Sequence, residues 1–206
     1  TQNNPEVPKG KKPIVFSIDN LSYDSVRNGD GVATSLVLDE NGKAAAKYTD
    51  DGGHDLIGAY DVVPVLEAFL DEHPDFSYQG ARGVISVAGV GGIFGYEVDG
   101  SADDYEANRQ AVQEIAAALK EEGWTFASTG YNYQYLGTLS YDQLDEELGK
   151  WQEVSGALLG DCDTLLYPYG SEVDYTTEKG TLLTADGFRY LIGLWAEGDH
   201  LEVNDQ

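Results

Sequence analysis

The chain has 206 residues, of which 37 are acidic and 12 are basic, so its formal net charge is −25. This length fits one sizeable domain, and 41% hydrophobic with 24% charged residues indicates a globular protein. The negative charge disfavours nucleic acid, anionic lipid and anionic polymers as partners, and it leaves neutral sugars and cationic molecules open. The apolar runs are too short to predict a membrane span. The single cysteine, Cys162, excludes an internal disulfide and a cysteine-rich metal motif.

Residues 1–12 are polar and indicate a linker or a processed N-terminus, whereas residues 13–206 are predicted to form one domain. No methionine occurs, not even at position 1. We therefore expect a processed or truncated chain that is extracellular or tethered at a cell surface.

Strands alternate with helices in the predicted order. The first half predicts a buried strand over 13–18, a hairpin over 35–48 that turns at Asn41-Gly42, a helix over 62–73 capped by Asp61, and a strand over 82–89. The second half predicts a helix from about Ser101 or Asp104 to Gly123, a strand over 124–128, a helix from the Ser140–Gln143 capping box to Leu158, a strand over 163–168, a helix over 177–187 and a strand over 188–195. This alternation predicts a parallel α/β sheet or barrel.

Four loops follow the predicted strands, at residues 19–24, 88–96, 129–137 and 168–175. In parallel α/β folds, such loops meet at the C-terminal ends of the strands and hold the chemistry. The last two loops are rich in tyrosine, at Tyr131, Tyr133, Tyr135, Tyr167, Tyr169 and Tyr175. Aromatic faces beside carboxylate and amide groups suit stacking against a sugar. The alternative is that about half of these tyrosines pack beneath the loops.

The blocks around these loops resemble the polysaccharide deacetylases of carbohydrate esterase family 4, also called NodB-homology domains. The likeness covers most of residues 13–193 and is carried by "IVFSIDNLSYDS", "ALKEEGWTFASTGYNYQYLG", "LLYPYGSEV" and "GFRY". It implies an α/β fold, namely a distorted (β/α) barrel with an open groove.

The resemblance also implies roles for particular residues. The family motif Thr/Ser-Phe-Asp-Asp supplies a general base and then a metal ligand, and it corresponds here to Ser17-Ile18-Asp19-Asn20. The base position is kept as Asp19, and the ligand position has become Asn20. The two histidine ligands of the family's His-Ser/Thr-x-x-His motif fall on Thr129 and Tyr133.

A third family motif, Arg-x-Pro-Tyr/Phe-Gly, lines the groove and helps to hold the oxyanion through a backbone N–H. It corresponds here to Leu166-Tyr167-Pro168-Tyr169-Gly170, without the arginine. The family's late Leu-x-His motif, which supplies a catalytic acid, has no match. By this resemblance, the groove is lined by Asn20, Thr129, Tyr131, Tyr133, Tyr167, Pro168 and Tyr169.

An amide, a hydroxyl and a phenol are poor replacements for one carboxylate and two imidazoles as zinc ligands. We therefore expect no resident metal and no other cofactor, although active family members use zinc or another divalent ion. The alternative ligands are Asp19, Asp24, His54 and His200, and a solvated loop histidine is the other interpretation of His54. His73 and His200 are expected to be structural or incidental. Asp19 is either a functional base or a cap for the loop after the first strand.

Three functions remain open at this point. The first is a deacetylase-like domain that has lost metal-dependent deacetylation and binds a glycan or a cell-surface partner in the old groove. The second is an active deacetylase of carbohydrate acetyl groups with a non-standard site. The third is a non-enzymatic surface scaffold.

Overall fold

The computed structural model describes residues 9–23, 31–100 and 103–194. The strands are β1 Phe16–Ile18, β2 Ala33–Leu38, β3 Ala44–Thr49, β4 Asp55–Gly58, β5 Gly83–Val87, β6 Thr125–Ser128, β7 Thr164–Leu166 and β8 Tyr190–Ile192. The helices are α1 Val62–Glu72, α2 Tyr105–Glu122, α3 Tyr141–Trp151, α4 Ala157–Leu159 and α5 Glu178–Ala185. Asp24, Ser101 and His200, which are discussed above, lie outside the described residues, as do residues 1–8 of the predicted linker and the last residue of the strand predicted over 188–195.

The larger sheet has five parallel strands in the order β1-β5-β6-β7-β8. Its register places Ser17 opposite Val84 and Val84 opposite Thr125. Strands that follow one another around a sheet, with helices between them, have the connectivity of a (β/α) barrel. Within the described residues, β1 pairs only with β5 and β8 pairs only with β7. The sheet therefore does not close on itself and forms a curled half-barrel. The predicted α/β fold is confirmed.

A smaller antiparallel sheet contains β2, β3 and β4. The predicted hairpin is confirmed: the Asp39 carboxylate accepts the N–H groups of Asn41 and Lys43 at 2.8 and 2.9 Å, which closes the turn. Strand β4 was not predicted, because the polar segment before it indicated only a loop. It forms because Asp55–Gly58 pairs with the outer edge of β3.

The helix ends agree with the predicted caps. The Asp61 carboxylate accepts the N–H of Val62 at 2.6 Å and begins α1. Ser140 and Gln143 form the reciprocal capping box of α3, with bonds of 3.3 and 3.0 Å. Gly123 ends α2 in the left-handed conformation at φ 105. Among the described helices, none combines the length and the apolar character needed to cross a bilayer.

The helix predicted from Tyr141 to Leu158 is interrupted. A π-helical segment, Gln152–Gly156, separates α3 from α4. The indole N–H of Trp151, just before this segment, donates to the Val87 carbonyl at 2.8 Å, and the hydroxyl of Ser155, within it, donates to the Ala88 carbonyl at 3.3 Å. The interruption therefore places two donors against the C-terminal end of β5.

Two apolar cores hold the sheets and helices together. The first lies between the two sheets and α2, and its fully buried members include Leu36, Ile85 and Leu119. The second lies around β7, α3 and α5, and it includes Leu144 and Leu165. Because both cores end beneath the C-terminal edge of the parallel sheet, they fix the loops that emerge there.

The glycine-rich loop 88–96 connects the two sheets. The Phe94 carbonyl accepts the N–H of Leu36 in β2 at 3.0 Å, and the Phe94 N–H donates to the Leu21 carbonyl, after β1, at 3.2 Å. Gly95 has φ 91, and a Cβ at this position would lie 2.5 Å from the Thr34 carbonyl oxygen. A side chain at Gly95 would therefore separate the loop from β2.

Candidate functional site

Asp19 directly follows β1, and its carboxylate is held by one residue in the loop after β6 and one residue on β5. The Tyr133 hydroxyl donates to Oδ2 at 2.7 Å. The Ser86 hydroxyl, on β5, donates to Oδ1 at 3.4 Å. The carboxylate is exposed, yet both of its oxygens have protein partners. The structure thus brings the predicted base position and one predicted ligand position into direct contact.

Asn20 supports the loop through both its backbone and its side chain. Its N–H donates to the Ser86 hydroxyl at 3.0 Å, and its amide oxygen accepts the N–H of Ala88 at 3.0 Å. Its φ of 52 is left-handed, a conformation that asparagine tolerates better than most residues. The oxygen at this former ligand position is therefore used by the backbone of the next strand.

Thr129 directly follows β6 and is fully buried. Its N–H donates to the Val87 carbonyl at 3.4 Å, which places it beside the same end of β5 as Asn20. Within the described part of the chain, its hydroxyl oxygen has no hydrogen-bond partner.

Tyr133 holds a strained position, because its φ of 51 is rare for an aromatic residue. Burial raises the pKa of its phenol well above the ordinary value, and the hydrogen bond to Asp19 raises the pKa further. At neutral pH the phenol is therefore protonated and donates to the carboxylate.

Tyr133 also packs against two other tyrosines, and we call Tyr133, Tyr135 and Tyr169 the tyrosine cluster. The Tyr133 and Tyr169 rings meet edge to face with centroids 5.1 Å apart, and the Tyr135 and Tyr169 rings stack at 4.6 Å. Tyr135 is 53% exposed and Tyr169 is 54% exposed. Tyr169 is also left-handed, at φ 57. The cluster therefore offers exposed aromatic surface beside the Asp19 carboxylate.

Other residues predicted to line the groove are buried. Tyr131 lies against Gly89, where a Cβ would approach its ring to 2.1 Å, and the Lys150 ammonium lies 4.0 Å from the centre of the same ring. Tyr167 and Pro168 are buried beneath the following loop. Burial leaves the side chains of these residues little surface for a ligand, so their place is to support the loops.

Two supporting residues were missed by sequence reasoning. The buried carboxylate of Glu147, on α3, accepts both the N–H and the side-chain amide of Asn132, at 2.6 and 2.7 Å. These two hydrogen bonds fix the loop that contains Tyr133. A signal existed, because Glu147 lies between Leu144 and Trp151 on the apolar face of its helix, where a charged residue is unexpected. Ser86, which joins Asp19 to Asn20, lies inside an apolar strand and gives no such signal.

The histidines within the described residues lie elsewhere. The exposed His54, in the turn between β3 and β4, contacts the Asp50 carboxylate through Nδ1 at 3.1 Å. His73 ends α1, and its ring packs against Phe69 at 4.5 Å. These contacts do not involve Asp19. Each histidine instead interacts with a residue four positions before it in the sequence.

Residues 95–191 match the family model described as "Polysaccharide deacetylase". The match spans just under half of the 206-residue chain and shows that this segment is similar to the family. The matched segment includes the loops of Tyr133 and Tyr169, and it begins after Asp19 and Ser86. No curated protein sequence matches the chain.

Two solved structures are similar to the chain, and both are of BA3943, described as a carbohydrate esterase family 4 pseudoenzyme from Bacillus anthracis. The wild-type structure has a TM-score of 0.40 and 10% identity, and it covers 81% of this chain and 70% of the other. A mutant described as having restored enzymatic activity has a TM-score of 0.39 and 11% identity, with coverage of 81% and 72%.

The similarity to the polysaccharide deacetylases raises the question of whether the residues of this chain fit the divalent ion that active family members use. Within the described residues, no group of three histidine, cysteine, aspartate or glutamate side chains could hold a metal ion. At the family's ligand positions, the Asn20 oxygen is bonded to a backbone N–H, Thr129 is fully buried, and the protonated Tyr133 phenol donates to Asp19. This donor set does not fit zinc, which prefers deprotonated thiolate or carboxylate ligands and neutral imidazole.

Proposed function

We propose that this deacetylase-family chain binds a carbohydrate at the tyrosine cluster and does not hydrolyse its acetyl groups. The observation that carries the proposal is the 2.7 Å hydrogen bond between the Tyr133 hydroxyl and the Asp19 carboxylate. Tyr133, at a position that the resemblance assigns to a metal ligand, is therefore hydrogen-bonded to Asp19, which the resemblance assigns as the base.

The loss of hydrolysis follows from the same contact. The attacking water in the family's reaction is activated by a metal ion, but the Tyr133 hydroxyl, at a position that the resemblance assigns to a metal ligand, donates to the Asp19 carboxylate instead. The raised pKa of the Tyr133 phenol keeps its proton in place throughout the neutral range. An unactivated water would therefore face a donor set that does not bind an ion.

Carbohydrate binding is supported by the exposed part of the site. Tyr135 and Tyr169 already stack on each other, so little side-chain freedom remains to be lost when a sugar ring packs against them. Their hydroxyl groups and the Asp19 carboxylate add hydrogen-bonding partners at the edge of the aromatic surface. The family match adds a reason to expect a saccharide, because it names polysaccharide as the family's substrate.

Calorimetric titration with oligosaccharides of glucosamine and N-acetylglucosamine, together with an acetate-release assay in added zinc, tests the proposal. We expect binding without acetate release, and loss of binding in Tyr169→Ala. Tyr78→Ala is the matched control, because Tyr78 is also about half exposed but precedes β5 at the opposite end of the sheet. Zinc-dependent acetate release would instead support an active deacetylase, and no binding of any saccharide would support a scaffold.

A further inference from the structure

We propose that the saccharide bound at the tyrosine cluster carries protonated amino groups, so that the ligand is a cationic amino sugar. This inference rests on the proposed function and specifies the chemistry of its ligand. It separates the preferred ligand from neutral N-acetylated sugars and from acidic sugars.

The four loops around the site carry charge of one sign only. Their sequences, residues 19–24, 88–96, 129–137 and 168–175, contain four carboxylates and no lysine, arginine or histidine. Asp19, Glu172 and Asp174 lie within the described residues, whereas Asp24 lies outside them. A surface lined by one sign of charge concentrates ligands of the opposite sign and repels those of the same sign.

The charge of Asp19 is available to such a ligand. Among the described residues, its side-chain hydrogen-bond donors are Tyr133 and Ser86, which are hydroxyl groups and carry no positive charge. Each carboxylate oxygen can accept more than one hydrogen bond. An ammonium group can therefore approach the carboxylate without displacing either hydroxyl.

The lysines near these loops are directed to other groups. The Lys179 ammonium donates to the carbonyls of Gly137 and Leu139 at 2.9 and 3.0 Å. The Lys150 ammonium lies over the buried Tyr131 ring. Within the part of the chain that the structure describes, both lysines are thus engaged with structural partners and not with the Asp19 carboxylate.

The exposed rings add a second attraction for a cation. An ammonium group placed over a tyrosine face is attracted by the electron density of the ring. The Tyr135 and Tyr169 faces lie beside the Tyr133–Asp19 pair, so one sugar ring can stack while its amine interacts with aromatic and carboxylate groups. A neutral acetamide group gains neither the attraction to the carboxylate nor the attraction to the aromatic ring.

The test compares glucosamine tetramer with N-acetylglucosamine tetramer by calorimetry at a pH of about 6, where the amines are protonated. We expect the amine form to bind about 10-fold more tightly or better, with the difference shrinking as ionic strength rises from about 0.05 to about 0.5 M. Asp19→Asn should weaken binding of the amine form several-fold more than it weakens binding of the acetylated form. Asp51→Asn, which removes an exposed carboxylate in the turn between β3 and β4, should change neither.

Each outcome separates this inference from the proposed function. Equal affinity for both tetramers would overturn the preference for a cation and leave carbohydrate binding in place. Equal weakening by Asp19→Asn and Asp51→Asn would show that net charge alone attracts the ligand, and would overturn the assigned site. Binding of a lysine tetramer as tight as that of the amino sugar would overturn the saccharide class. Binding of neither saccharide would refute the proposed function itself.

Discussion

Replacing Thr129 with valine is expected to stabilise the protein. The Thr129 side chain is fully buried after β6, and its hydroxyl has no partner among the residues that the structure describes. Valine exchanges that hydroxyl for a methyl group of similar size. Because burying an unpaired hydroxyl costs about 1–3 kcal/mol, we expect Thr129→Val to raise the free energy of unfolding by about 1 kcal/mol.

Urea denaturation followed by circular dichroism measures this change, and a thermal melt should show a rise of about 2–4 °C for a chain of this length. The matched control is Thr164→Val. Thr164 is also buried, but its hydroxyl donates to the Asp163 carboxylate at 3.2 Å. Removing that bond should lower the free energy of unfolding by about 0.5–1.5 kcal/mol. The two substitutions are thus expected to act in opposite directions.

The reasoning is refuted if Thr129→Val destabilises the protein as Thr164→Val does. The Thr129 hydroxyl would then have a partner, such as a water molecule held at the base of the site. Thr129 would in that case be a polar element of the site, and its assignment as an unused former ligand position would be wrong.

Three further variants test the site and the residues that support it. Combining Asn20→Asp, Thr129→His and Tyr133→His is expected to confer zinc binding, about 10- to 100-fold weaker than that of a fully supported site, and calorimetry showing no uptake would contradict the assigned correspondence. Burial raises the pKa of Tyr167 to about 12, above about 10 for an exposed phenol, so its contribution to stability is complete below pH of about 10 and is lost as the pH rises through the folded value. An alkaline absorbance titration of Tyr167→Phe should therefore lose one late-ionising phenol, and curves identical to the parent's would contradict the shift. Glu147→Ala should lower the free energy of unfolding by about 2–3 kcal/mol and speed hydrogen exchange in the loop after β6, whereas unchanged exchange would show that another contact holds the loop.

Local signals in the sequence predicted most of the fold. The apolar segment of β5, the reciprocal cap at Ser140 and the glycine that ends α2 each depend on neighbours within a few positions. Strand β4 and the π-helical segment were missed because they depend on distant partners. β4 has only four residues and exists through its pairing with β3.

The site was harder to predict from the sequence than the fold was. The order of strands and loops placed Asp19 and Tyr133 at the same end of the sheet, but their hydrogen bond joins residues 114 positions apart. It requires a left-handed backbone at Tyr133, which no pattern predicts for a tyrosine. Loops also lack the periodicity that reveals a buried face, so the sequence could not show that Tyr131 and Tyr167 point inward while Tyr135 and Tyr169 remain exposed.

The π-helical segment takes up one additional residue between α3 and α4. Each residue of an α-helix advances the chain by about 100° around the axis, but a π turn accommodates its additional residue within a single wider turn. Deleting one residue from Gln152–Gly156 would therefore restore regular α-helical geometry and keep α3 and α4 in nearly the same rotational phase. Trp151 would keep its bond to the Val87 carbonyl, but the wide turn that directs the Ser155 hydroxyl to the Ala88 carbonyl would be lost. A helix one residue shorter would thus remove a donor from the strand end on which Asn20 and Thr129 rest, even with every side chain of the site unchanged.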